Sequence, residues 1–123
     1  MNTALVIEDH PDNMILICDI LDLNGYATLQ AVDGMQGYAL AQEKQPDFII
    51  LDIQLPDING YQVLEKIRSN WQTKNTPVIA MTSYAMAGEE NRLLNAGCDG
   101  YVEKPIDPGR VMEQILQAIE KKA

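Results

Sequence analysis

The segment Phe48-Ile-Ile-Leu-Asp52 runs through four apolar residues and ends on a carboxylate. A short, uninterrupted apolar run bounded by turn-forming residues is typical of a strand that is buried on both faces, as strands are in parallel sheets. Ala4–Glu8 and Pro77–Met81 have the same character, whereas Gln54–Asn59 is rich in turn residues. These runs predict three central strands of a parallel sheet.

Segments with helical spacing separate these strands, and two weaker strand signals, Ala27–Val32 and Tyr101–Val102, complete an alternating pattern. Helices are predicted over Met14–Leu23, Gly34–Lys44, Gly60–Asn70, Ala87–Ala96 and Pro108–Lys121. Asp12 is expected to cap the first helix, and Gly25 follows the end of that helix. The faces turned to the core are expected to carry Val63, Leu64 and Ile67 in the third helix and Val111, Ile115, Leu116 and Ile119 in the fifth.

Five strands in strict alternation with five helices imply βαβ units, because parallel neighbours need a crossover connection and a helix supplies it. Right-handed crossovers restrict the topology further. At 123 residues the expected fold is one α/β domain of the flavodoxin-like, doubly wound type, with a five-stranded parallel sheet in the order 2-1-3-4-5. The domain is expected to span residues 1–123, with no linker, repeat or output domain.

Composition and charge exclude several classes of protein. With 9 basic and 18 acidic residues the net charge is −9, whereas a nucleic-acid-binding domain needs clustered Lys and Arg. One His and two Cys argue against a zinc site, and Cys18 and Cys98 are expected to be reduced thiols. No apolar run approaches the roughly 20 residues of a membrane span, and the N-terminus lacks a signal-peptide pattern. A soluble, cytoplasmic protein without membrane or direct nucleic-acid contact is predicted.

Polar side chains follow four of the five predicted strands at their carboxyl ends. Glu8-Asp9 follow the first strand, Asp52 ends the third, Thr82 follows the fourth and Lys104 follows the fifth. In an open parallel sheet these ends meet at one edge, and ligands bind there at the switch point between the first and third strands. Three carboxylates, a hydroxyl and an ammonium group are therefore expected to lie close together.

This set of groups makes chemical sense as a unit. Carboxylates at close quarters repel one another and raise one another's pKa unless a cation lies between them. Oxygen ligands from Glu8, Asp9 and Asp52 suit a hard divalent cation, and Mg²⁺ is the expected ion. One carboxylate could then attack phosphorus and form an aspartyl phosphate. Asp52 is central among the three and is the expected acceptor, with Lys104 and the Thr82 hydroxyl stabilising the developing charge.

The chain resembles the receiver domain of two-component response regulators over essentially its whole length. The residues that carry the resemblance are Glu8-Asp9, Asp52, Thr82, Tyr101 and Lys104-Pro105, together with the loop 51–60 that contains Pro56 and Gly60. The resemblance implies that Asp52 accepts a phosphoryl group from a phosphohistidine on a sensor histidine kinase or a histidine phosphotransfer protein. It implies Mg²⁺ as cofactor, with Mn²⁺ as a substitute, bound by Asp9, Asp52 and the main-chain carbonyl of Gln54, and by Glu8 through a water molecule.

The resemblance also implies how the signal leaves the site. Lys104 would pair with the phosphoryl oxygens, Thr82 would move toward them, and Tyr101 would turn into the vacated space. This motion would switch the face formed by helix 4, strand 5 and helix 5, which binds a downstream effector protein unless the phosphoryl group is relayed onward. The domain would catalyse its own phosphorylation and dephosphorylation, as a monomer or a weak dimer. Gln54 and Tyr84, which flank the path of attacking water, are predicted to tune the lifetime of the phosphoryl group.

Three alternative functions have weaker support in the sequence. A phosphohydrolase with an aspartate nucleophile would carry a second Asp two residues further on, where this chain has Gln54. A flavin-binding electron carrier would need a phosphate-binding loop rich in Ser, Thr and Gly after the first strand, where this chain is acidic. An interaction module that is never phosphorylated would not require Asp52, Thr82 and Lys104 together. We therefore expect a signalling switch that acts on itself rather than a conventional enzyme.

Overall fold

Strands and helices alternate along the chain in the computed structural model, which describes residues 2–83 and 88–122. The strands are β1 (Thr3–Ile7), β2 (Ala27–Ala31), β3 (Phe48–Asp52), β4 (Val78–Thr82) and β5 (Gly100–Glu103). The helices are α1 (Pro11–Leu23), α2 (Gly34–Lys44), α3 (Gly60–Ser69), α4 (Glu89–Ala96) and α5 (Val111–Lys122). The strands pair in parallel in the order β2-β1-β3-β4-β5, so the predicted fold is confirmed. None of the helices in the described part of the chain has the length and apolar character that crossing a bilayer requires.

The sheet separates two apolar cores, and its central strands contribute to both. Every residue of β3 and of β4 is buried, as expected for strands covered by helices on both faces. Ile50 and Ile79 belong to the core under α1 and α5, whereas their neighbours Leu51 and Val78 belong to the core under α2 and α3. Each such side chain contributes about 1.5–3 kcal/mol by leaving water, so the apolar strands, together with the helix faces packed on them, stabilise the fold.

The start of α1 differs from the prediction. The helix begins at Pro11, and His10 rather than Asp12 occupies the N-cap position without a side-chain hydrogen bond. Proline is favoured at the first helical position because its φ is already helical and it has no N–H group that needs a partner. The prediction that Asp12 caps α1 is therefore wrong, and Asp12 lies inside the first helical turn.

The end of the chain also differs in detail from the prediction. Helix α5 begins at Val111 rather than at Pro108, because residues 108–110 form a turn. Leu116 is 46% exposed and does not belong to the inward face of α5. The buried stripe follows Val111, Ile115 and Ala118 at helical spacing, and a residue directly after Ile115 is turned away from that stripe.

Arg68, near the end of α3, joins three parts of the structure through one guanidinium group. Its Nε and Nη2 atoms donate to the carbonyl of Gly97, in the turn between α4 and β5, at 3.0 and 2.8 Å. Nη1 donates to the carbonyl of Thr76 at 2.7 Å, and Nη2 pairs with Asp99 Oδ2 at 3.0 Å. Asp99 Oδ2 also accepts from the main-chain N–H of Val78, where β4 begins. This arrangement, which we call the Arg68 clamp, lies at the edge of the sheet where the strands begin.

Candidate functional site

Three carboxylates lie together where β1 and β3 end. One oxygen atom from each of Glu8, Asp9 and Asp52 can be chosen so that all three lie within 4.8 Å of one another. The cause is strand register: Ile7 of β1 pairs with Leu51 of β3, so the residues that follow are neighbours. Glu8 is fully buried and Asp52 almost so, whereas Asp9 is exposed. The cluster is therefore open to solvent on one side only.

Lys104 brings a positive charge into this cluster from the end of β5. Its Nζ atom lies 3.1 Å from Asp52 Oδ2 and 3.3 Å from Glu8 Oε1. The main chain holds the lysine in place, because Lys104 N donates to the carbonyl of Thr82 at 2.9 Å. The peptide bond between Lys104 and Pro105 is cis. One ammonium group thus bridges two buried carboxylates. Because the cluster holds three carboxylates, its negative charge exceeds the single positive charge of Lys104.

Glu8 shows that the cluster suits a further cation. Burial, followed by the neighbouring Asp52 carboxylate, raises the pKa of Glu8 to about 7, although Asn13 and Lys104 act in the opposite direction. Within residues 2–83 and 88–122, Glu8 Oε2 is a buried side-chain oxygen that accepts no hydrogen bond. A buried acceptor without a partner is costly, and a hard cation or its bound water would satisfy it. The all-oxygen donor set therefore fits Mg²⁺.

The two residues expected to move lie on β4 and β5. Thr82 is the last residue of β4 and is buried at the same edge as the carboxylates. Tyr101 lies further back, beside Ala80 in the β4–β5 pairing, and packs half-buried against the core under α2 and α3. Burial and then the Glu90 carboxylate raise the pKa of Tyr101. Tyr84, the other predicted tuning residue, lies outside the described residues.

The loop between β3 and α3 is closed tightly at its base. Gln54 N donates to Asp52 Oδ1 at 3.0 Å, and Gly60 N donates to the carbonyl of Ile53 at 2.8 Å. Asn59 and Gln62 form a reciprocal capping box that starts α3. A Cβ atom on Gly60 would lie 2.5 Å from Ile53 Cα and 2.8 Å from the carbonyl oxygen of Asp52. Gly60 is therefore required for the close approach of α3 to the end of β3.

Replacing Gly60 by alanine is expected to lower the free energy of unfolding by about 2 kcal/mol, because the new methyl group meets main-chain atoms that cannot move without displacing β3. Urea unfolding followed by circular dichroism measures this change. Gly109→Ala is the matched control, since a Cβ atom there meets nothing closer than 3.4 Å. Equal stabilities of the two variants would contradict the packing argument.

Asp57, in the middle of this loop, is a residue that sequence reasoning missed. Its two carboxylate oxygens accept from Gly34 N at 2.8 Å and from Met35 N at 2.9 Å, in the first turn of α2. Burial acts to raise the pKa of Asp57, but hydrogen bonds from main-chain N–H groups, those of Gly34 and Met35 first among them, outweigh it and lower the pKa. The partners are 22 and 23 residues away, so no local pattern indicates the contact.

A family model and similar proteins of known name both relate the chain to response regulators. The family model of the response regulator receiver domain matches residues 4–116 of the chain. The chain is 37% identical over 113 residues to the polar-differentiation response regulator DivK of Brucella ovis, and the match covers 92% of each protein. DivK of Brucella anthropi shows the same identity and coverage.

Solved structures with the same fold include a receiver domain and a chemotaxis protein. The receiver domain of sensor histidine kinase PA1611 from Pseudomonas aeruginosa PAO1 has a TM-score of 0.87 and 29% identity, over 97% of this chain and 98% of that one. That structure has a magnesium ion coordinated in its active-site cleft. The chemotaxis protein CheY4 of Vibrio cholerae, at 24% identity, shares the fold with a TM-score of 0.89 over 96% of this chain and 98% of that one.

Proposed function

The chain belongs to the response regulator receiver domain family of two-component signalling, and from that premise we propose that it accepts a phosphoryl group on Asp52. The observation that carries the proposal is the position of Asp52, which lies almost fully buried in the carboxylate cluster and within 3.1 Å of Lys104 Nζ. Asp9 is exposed and forms no ion pair in the described part of the chain, and Lys104 Nζ lies closer to Asp52 than to Glu8, at 3.1 Å against 3.3 Å. The proposed donor is a phosphohistidine on a sensor histidine kinase or a histidine phosphotransfer protein.

The proposed step is a direct displacement at phosphorus. An oxygen of the Asp52 carboxylate attacks the phosphorus atom, and a P–O bond forms as the P–N bond to the donor histidine breaks. The imidazole nitrogen leaves with the electron pair of that bond and takes a proton from solvent. The Lys104 ammonium and the Thr82 hydroxyl stabilise the charge that develops on the phosphoryl oxygens. A water molecule that later attacks the same phosphorus forms a new P–O bond while the bond to the Asp52 oxygen breaks, which releases inorganic phosphate and restores the carboxylate. The exposed Gln54 is proposed to set the rate of that step.

We propose Mg²⁺ as the cofactor, with Mn²⁺ as a substitute. The proposed ligands are carboxylate oxygens of Asp9 and Asp52 and the main-chain carbonyl of Gln54, with Glu8 acting through a water molecule. When bound, the ion neutralises the carboxylates and the incoming phosphoryl oxygens, whose negative charges otherwise repel one another. The unpartnered Glu8 oxygen and the magnesium ion in the cleft of the PA1611 receiver domain support this assignment.

The proposed output surface is formed by α4, β5 and α5. A groove of about 520 Å³ lies there, and charged residues of both signs line it. Glu90 and Glu103 are acidic, whereas Arg110 and Lys121 are basic. Tyr101 lines the same groove, so movement of its ring would change the surface that a protein partner meets. Receiver domains of this family interact with histidine kinases and downstream effectors. We propose that an effector protein docks on this groove when Thr82 and Tyr101 change position together.

Intact-protein mass spectrometry after incubation with acetyl phosphate tests the proposed acceptor. We expect a gain of one phosphoryl group that requires Mg²⁺ and is absent from Asp52→Asn, because that variant lacks the attacking carboxylate. Asp19→Asn, at an exposed position of α1, is the matched control and should be phosphorylated like the parent protein. A wild-type chain that gains no phosphoryl group, or an Asp52→Asn variant that gains one equally well, would refute the proposal.

A further inference from the structure

We infer that Asp57 is a positioning residue for the metal-binding loop between β3 and α3, in that it holds the loop segment directly after Gln54 against the first turn of α2. The inference rests on the proposed function, since it concerns the affinity of the proposed magnesium site. Within the part of the chain that the structure describes, Asp57 contacts neither the three clustered carboxylates nor Lys104. Its hydrogen-bond partners are main-chain N–H groups. It therefore acts through the loop.

The loop is fixed at its base by hydrogen bonds of its own. Gly60 N donates to the carbonyl of Ile53, and Gln54 N donates to Asp52 Oδ1. Between these points and α3 lies the segment 55–59, in which Pro56 and Asp57 are exposed. A loop whose base alone is hydrogen-bonded keeps conformational freedom at its tip, and ordering its residues costs entropy. Leu55 and Ile58 pack partly buried against the core under α2 and α3, and a second hydrogen-bonded attachment between them orders the tip further.

Asp57 supplies that second attachment through two main-chain donors. The Gly34 and Met35 N–H groups belong to the first turn of α2 and have no partner inside that helix. The next N–H of the turn, that of Gln36, is satisfied by the Asp33 side chain at the N-cap position. Two carboxylates thus share the capping of α2. Asp33 belongs to the helix itself, whereas Asp57 belongs to the loop that follows the acceptor strand.

Helix α2 is a firm base for this attachment because it packs closely at two glycines. A Cβ atom on Gly37 would lie 2.5 Å from Ile7 Cδ1, and one on Gly34 would lie 2.6 Å from Ile58 Cγ1. Ile7 immediately precedes Glu8 in the chain, and Ile58 immediately follows Asp57. The helix therefore lies against the strand that leads into Glu8 and against the loop that follows Asp52.

The consequence concerns Gln54, whose main-chain carbonyl we propose as a metal ligand. Gln54 N is fixed at the base of the loop, but the Gln54 carbonyl belongs to the peptide bond that leads into the segment 55–59. Loss of the Asp57 attachment therefore loosens the peptide group that carries this carbonyl. Groups that orient metal ligands from outside commonly change metal affinity by 10- to 100-fold. We expect Asp57→Ala to weaken Mg²⁺ binding about tenfold, at the low end of that range, because the Asp9 and Asp52 carboxylates remain in place.

Calorimetric titration of the intact chain with Mg²⁺ alone tests the inference, and Asp33→Ala is the matched control. Both variants remove a carboxylate that caps α2, so both should lose stability in urea unfolding. Weaker Mg²⁺ binding in Asp57→Ala alone supports the positioning role. Equal affinities of the two variants and the wild type, or an equal loss in both, would overturn it and leave Asp57 as a helix cap.

Asp57→Asn provides a second variant should Asp57→Ala fail to fold. An amide has one acceptor oxygen, so this side chain can satisfy only one of the two N–H groups, and the variant should bind Mg²⁺ with an affinity between those of Asp57→Ala and the wild type. Wild-type affinity in this variant contradicts the inference. A wild-type chain that binds no Mg²⁺ would refute the proposed function instead. Normal wild-type binding and phosphorylation with unchanged Asp57 variants would refute the positioning role alone.

Discussion

Replacing Lys104 by methionine is expected to slow phosphorylation of Asp52 by acetyl phosphate about 100-fold, the loss typical of removing one preorganised charge stabiliser. The Lys104 ammonium lies 3.1 Å from Asp52 Oδ2, and methionine matches the lysine side chain as far as Cε while removing the charged nitrogen. The rate of phosphorylation, followed by mass spectrometry at fixed donor and Mg²⁺ concentrations, measures the effect.

Three further measurements separate loss of charge from loss of structure in this experiment. Mg²⁺ affinity should not fall in Lys104→Met, because a competing positive charge has left the carboxylates. Lys74→Met, which removes an exposed lysine from the loop before β4, should be phosphorylated at the parent rate. Lys104→Arg keeps a charge with different geometry and should recover part of the lost rate. A Lys104→Met variant with parent kinetics would contradict the role assigned to Lys104.

Replacing Arg68 by methionine is expected to lower the free energy of unfolding by about 3 kcal/mol. The reason is that the Arg68 clamp is largely buried, and its loss leaves the Gly97 and Thr76 carbonyls without their side-chain donor. Asp99 would also lose its charged partner while remaining mostly buried, although Val78 N still donates to it. Chemical denaturation measures the change.

Lys44→Met is the control for the Arg68 experiment, because it removes a cation from an ion pair with Glu43 whose side chains are 52% and 67% exposed. We expect that variant to lose less than about 1 kcal/mol. At denaturant concentrations below its unfolding midpoint, Arg68→Met should still accept a phosphoryl group. The reason is that the clamp lies where the strands begin, at the end of the sheet opposite Asp52. Similar stability losses in the two variants would show that burial does not set the strength of the clamp.

The order of the strands and the meeting of polar groups at one edge could be predicted because both follow from topology. Five apolar runs alternating with helices allow few parallel arrangements, and all of them place the carboxyl ends of the strands together. Glu8, Asp9, Asp52 and Lys104 therefore meet in the structure as their positions after the strands predict. Their chemical roles stay predictions until phosphorylation is measured.

Contacts between residues distant in sequence could not be predicted. The attachment of Asp57 to α2 and the Arg68 clamp depend on how loops and helices lie against one another after the sheet has formed. Two of the differences from the prediction have local causes. A proline at the first helical position made a side-chain cap at Asp12 unnecessary. A single apolar residue at Leu116 was assigned to the core, although its angular position on α5 turns it outward.

The alternation of β3 has an evolutionary consequence. Phe48 and Ile50 point into the core under α1 and α5, and Asp52 continues the same alternation at the end of the strand. Inserting or deleting one residue within β3 would exchange the two cores and turn the carboxylate to the opposite side of the sheet. Related genes should therefore vary in length at the exposed turn before α5, residues 107–110, and keep β3 at constant length. The length of this five-residue strand is thus constrained as well as the identity of its last residue, because the length decides which side of the sheet that residue faces.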